Sequence, residues 1–135
     1  MPYLIEFRSG LFDVSAEPKN PVNPVFGHSL LKWLSSRLNS EGIETPDPDY
    51  EDWGWYFDVS GYGSNYLVGA ASVTHDEGTT DEPIDWMVQV HKHRRMLDKV
   101  LGKNKLEGAD PLCRLIERIV RSEPSFEDVR ASLEP

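Results

Sequence analysis

A single cysteine, Cys113, stands in 135 residues, which excludes any disulfide within the chain and fits a reducing compartment. No apolar run approaches the roughly 18–20 residues that a membrane-spanning helix requires. The first residues, Met-Pro-Tyr-Leu-Ile-Glu, carry no basic leader and meet an acid at Glu6, so the reading is cytoplasmic rather than secreted, with no membrane attachment. Gly-x-Ser-x-Gly, a Walker loop, a dinucleotide fingerprint and paired zinc cysteines are all missing. No cofactor is therefore expected, and catalysis is the less favoured class. Carboxylates are plentiful, but no apolar pocket can be read around any pair of them, and a catalytic residue cannot be assigned.

What is present is ordinary for one globular domain spanning 1–135: 39% hydrophobic and 27% charged residues. The net charge of −9 is unevenly spread. Between His91 and Lys105, six basic residues (Lys92, Arg94, Arg95, Lys99, Lys103, Lys105) face one acid, Asp98, giving +5 within an otherwise strongly acidic chain. Two segments without Lys or Arg hold much of the acid: Glu44, Asp47, Asp49, Glu51 and Asp52, then Asp76, Glu77, Asp81, Glu82 and Asp85. Such a field repels nucleic acid and favours a basic protein partner. The strip 91–105 has the composition of a nucleic-acid patch but lacks interleaved aromatic residues.

The pattern along the chain predicts an α+β fold around an antiparallel meander of about four strands, in the order β-α-β-β-β-α-α, with the helices mainly on one face. Tyr3–Arg8 alternates with period two. Pro18, Pro21 and Pro24, with a doubled Asn-Pro-Val at 20–22 and 23–25, forbid a helix there. Leu30, Leu31, Leu34 and Leu38 form a helical stripe that Ser29 is placed to cap and Gly42 to end. Gly61–Asn65 reads as the turn of a hairpin, and Ile84, Trp86, Val88 and Val90 as a further strand. A short helix is expected around 95–101. Asp110-Pro111 opens a helix with the stripe Leu112, Leu115, Ile116 and Ile119, and Ser125–Leu133 is expected to form a last short one.

The Trp53-Gly54-Trp55 strand, by alternation, directs Trp53, Trp55, Phe57 and Val59 to the core. Gly54 and Tyr56 then share the opposite face with Met87 and Gln89. The middle strand, 66–74, is apolar on both sides, so that second face should be partly covered by the C-terminal helices, a ligand or a second subunit, the last implying a homodimer. The run 51–57 is similar to segments of small bacterial proteins, a likeness that carries no site with it.

Three spots invite chemistry. His91-x-His93, with His75 and Asp76 or Glu77 from the preceding loop, has the residue types of a metal site. Gly27-His28-Ser29 offers backbone donors to an anion. Cys113, beside Arg114, lies on the apolar edge of a helix, where a thiol usually fills core space. The leading expectation is a non-enzymatic protein-binding module, immunity-like or an adaptor, using acidic loops 44–52 and 76–85. The alternative is a metal-dependent enzyme or metal-binding protein using His75, His91 and His93.

Overall fold

Six antiparallel strands form one sheet in the computed structural model, which describes residues 2–73 and 83–134. The strands are β1 (Tyr3–Ser9), β2 (Asp49–Glu51), β3 (Gly54–Gly61), β4 (Ser64–Ser72), β5 (Ile84–Lys92) and β6 (Glu127–Leu133), in the spatial order β2-β3-β4-β5-β1-β6. The helices are α1 (His28–Ser40), α2 (Met96–Leu101) and α3 (Pro111–Arg121). The α+β class and the antiparallel sheet are as the pattern predicts, with six strands in place of about four. The turn between β3 and β4 has two residues, Tyr62 and Gly63, both at positive φ (53° and 76°), as the twist of a tight hairpin demands.

One face of the sheet is the core. Trp55, Phe57, Val59, Tyr66, Val68, Ala70, Trp86, Val88, Val90, Tyr3, Ile5 and Phe7 are buried there against the stripes of α1 and α3. That packing follows from the α1 leucines and from Leu112, Leu115, Ile116 and Ile119 of α3, all of which are buried.

Three local readings are corrected. The C-terminal segment is an edge strand, not a helix: Val129, Ala131 and Leu133 recur with period two, and β6 pairs with β1. Phe126, just before it, stacks on Phe7 at 4.1 Å between ring centroids. Ser29 does not cap α1. The N-cap is Gly27, and the capping group is the distant Glu17 carboxylate, which accepts from the Gly27 and His28 amides (3.0 Å each) and from the Ser29 hydroxyl. The backbone donors read as an anion site thus hold an anion of the chain itself. Finally, Trp53 lies in the turn before β3 and not on the core face. Its ring covers Gly69, where an added Cβ would come within 2.5 Å of it, and it tilts against Tyr56 on the second face.

Candidate functional site

The second sheet face carries Leu4, Glu6, Tyr56, Asp58, Leu67, Met87, Gln89 and His91. The register sets Tyr56, Gly69, Gln89 and Leu4 in one row across it, and Asp58, Leu67 and His91 in the next. Apart from exposed Asp58, these side chains are only partly buried. Neither α1 nor α3 packs on this face, because both spend their apolar stripes on the other. The result is a shallow surface, apolar in the middle, with Trp53 lying across Gly69.

Acids border one side. Glu44, Asp47, Asp49, Glu51 and Asp52 are all exposed. The sequence places Asp49–Glu51 in a loop, but these residues form the edge strand β2, and Asp49 stands directly across from Tyr56. Burial first, then the neighbouring carboxylates Asp49, Glu51 and Asp58, pushes the Tyr56 phenol above its ordinary value. Among the described residues, only Asp47 of the five acids has an ion pair, a 3.7 Å contact with Lys32. The doubled Asn-Pro explains how this acidic edge is held. Asn20 Nδ2 donates to the carbonyls of Glu51 and Gly54 (2.9 and 3.2 Å), and Asn23 Nδ2 to that of Asp52 (2.8 Å). Two asparagines from the proline loop therefore brace the turn that carries the charge.

Of the second acidic segment, Asp76, Glu77, Asp81 and Glu82 lie outside the described residues, as does His75. Asp85 is described; it is exposed and pairs with Arg8 at 3.0 Å. The two described histidines of the expected metal set, His91 and His93, are engaged separately. His91 Nε2 lies 2.7 Å from Gln89 Oε1, and His93, one residue beyond β5, lies 3.2 Å from Asp58. Among the described residues no group of three His, Cys, Asp or Glu side chains converges as metal ligands would. Burial lowers the His91 pKa, favouring its neutral form.

Comparison of the chain with protein-family models, curated proteins and solved structures gives no match. The reading therefore rests on the geometry. No helix among the described residues is long and apolar enough to cross a membrane.

Two polar groupings escape inspection of the sequence. Arg114, Arg118 and Arg121 recur at helical spacing on the outer side of α3, along a cleft of about 700 Å³; Arg118 pairs with Glu41 and Arg121 with Glu117. The other is buried. Asp110 does not cap α3 with its side chain; it accepts hydrogen bonds from the Tyr66 hydroxyl and from Lys92 Nζ (3.0 Å), with only 10% and 5% of the Lys92 and Asp110 side chains exposed. Lys92 also sits 5.9 Å from the Tyr66 ring centroid. A lysine at the end of β5 and an aspartate 18 residues later offer no local signal of this pairing.

Cys113 lies one turn further along α3, fully buried, and burial above all, then the Asp110 charge, pushes its thiol up to about 12. It is core filling, and native protein should resist thiol reagents. Burial and then the hydrogen bond to Glu117 similarly push the Tyr3 phenol up to about 12. Both groups are protonated in the fold and ionise more readily when unfolded. Their contribution is therefore complete below pH 9, the ordinary thiol value, and is lost as pH rises towards 12. Urea titrations from pH 8 to 11.5 should show stability falling by up to about 1.4 kcal/mol per pH unit for each group. A flat profile through that window would contradict their burial as neutral acids.

Proposed function

We propose that the protein is a non-enzymatic binding module whose second sheet face, with the acidic edge Asp47, Asp49, Glu51 and Asp52, receives a basic, partly apolar segment of a protein partner. The observation that carries this is the coincidence of two features on one surface. A half-buried apolar floor (Leu4, Trp53, Tyr56, Leu67, Met87) lies directly beside the exposed carboxylates of Asp49 and Glu51, which the register sets on the same face and which have no ion pair among the described residues. Apolar contact would supply affinity, and the carboxylates would supply attraction and register. The bracing of the edge by Asn20 and Asn23 supports recognition by a preformed surface, which lowers the ordering cost of binding. An immunity-like or adaptor role fits such a surface.

The test uses a fluorescent synthetic peptide of alternating lysine and leucine as the basic, apolar probe. Wild-type protein should bind it with an affinity that falls steeply with salt. Reversing Asp47, Asp49 and Glu51 to lysine together should weaken binding at least about tenfold. Undiminished binding by the triple variant, confirmed as folded by circular dichroism, would sink the reading.

A further inference from the structure

The chain carries a basic, apolar segment of its own, and it projects. Between Lys92 and Asp110 the backbone leaves the sheet and returns, and the salt bridge between those two side chains closes the base of the excursion. Within it stands α2, no residue of which is buried. Met96, Leu97, Val100 and Leu101 are 81%, 66%, 76% and 55% exposed, a concentration of large apolar side chains with no counterpart elsewhere among the described residues. Arg94, Arg95, Lys99, Lys103 and Lys105 surround them. A six-residue helix without a buried face gains nothing from packing, yet this one is finished at both ends. Asp98 accepts from the Arg95 amide at its start, Gly102 closes it at φ 65°, and the Arg94 guanidinium donates to the carbonyls of Asp98 and Lys103 (3.2 and 2.9 Å). The helix is held in shape while its apolar side chains stay in water.

We infer that α2 of one copy docks on the acidic-bordered second sheet face of a second copy, making a reciprocal homodimer. This rests on the reading of that face given above and names its partner. Complementarity argues for it. The projecting segment is apolar and carries net +3, with Arg94, Arg95, Lys99, Lys103 and Lys105 against Asp98 and Glu107, while the face is apolar and bordered by Asp49, Glu51, Asp52 and Asp58. Size agrees: a six-residue helix is about 9 Å long, and β3 to β5 span about 10 Å. Because each copy owns one arm and one face, a two-fold arrangement satisfies both surfaces at once and closes at two.

Sedimentation analysis of the full chain should show a species of twice the 15.4 kDa chain mass, dissociating as salt is raised. Leu97→Asp with Val100→Asp alters only exposed side chains and should weaken the dimer at least about tenfold. Tyr56→Lys with Leu67→Lys, on the face, should do the same. Mixing the two variants should restore a heterodimer, because one intact arm meets one intact face. A wild-type monomer at about 0.5 mM overturns the proposal, as does a dimer that the arm variant leaves unchanged or a mixture that recovers nothing. Binding of the monomeric protein to anionic lipid vesicles through α2 would also overturn it. Failure here with retained peptide binding leaves the face as a binding surface and removes only this partner; loss of peptide binding removes both.

Discussion

Asp110→Ala is expected to bring the protein close to unfolding at room temperature. The substitution leaves Lys92 charged and nearly enclosed, with its carboxylate partner gone, and strips the buried Tyr66 hydroxyl of its acceptor. Breaking one side of a buried pair costs about 3–5 kcal/mol, against a total stability for a typical domain of about 5–15 kcal/mol. Asp110→Asn keeps one acceptor oxygen but replaces the other with an N–H donor and removes the charge, so its cost should fall between wild type and Asp110→Ala. Lys92→Met combined with Asp110→Leu should recover most of the loss, since removing both partners leaves no orphaned charge. Urea denaturation of the four proteins tests the set. A cost below about 1 kcal/mol for Asp110→Ala would mean that water reaches the pair freely.

The second large effect is expected at Gly54, in the Trp-Gly-Trp segment. Its φ is +154°, and a Cβ there would stand 2.5 Å from the Ala70 carbonyl oxygen and 3.0 Å from the Ala71 Cβ. Gly27, at the start of α1, presses on the same carbonyl from the other side. The obstacle is backbone of β4, hydrogen-bonded between β3 and β5, so it cannot yield as a side-chain tip would. Overpacking and a disfavoured backbone conformation together put Gly54→Ala at about 3 kcal/mol or more. Gly10→Ala, where nothing lies within 4 Å, is the matched control and should change stability by less than about 0.5 kcal/mol. If Gly54→Ala matched that control, the close approach of the Gly54 backbone to the Ala70 carbonyl of β4 would have to be abandoned.

Period and punctuation made most of the fold legible. β1, the β3–β4 hairpin, β5, α1 and α3 each announce themselves by apolar spacing or by turn residues, because their burial is one-sided and local. The misreadings arise where long-range partners decide. Phe126 and Val129 suggest a helical spacing, but the free edge of β1 recruits the segment as β6. Trp53 fits an alternating strand, yet the turn at 52–53 breaks the alternation and turns its ring over Gly69. Asp110 has the sequence of a helix cap but is taken by Tyr66 and Lys92, which only the folded sheet brings near. On the candidate site, the acidic stretch 44–52 and the pairing of Gly54, Tyr56, Met87 and Gln89 on one face were readable. That Leu4 and Leu67 complete the surface was not, since it depends on β1 and β4 lying beside β5.

The Lys92–Asp110 contact has an evolutionary corollary. By pinning the two ends of the intervening segment together inside the protein, it makes the position of the sheet and of α3 insensitive to what lies between them. The entropy of closing a loop grows only slowly with its length. The stretch 94–105, between the His93 amide bonded to the Asn65 carbonyl and Leu106 buried in the core, can therefore be shortened, lengthened or exchanged for a different recognition element while the scaffold is inherited unchanged, so that the choice of partner can drift independently of the fold that presents it.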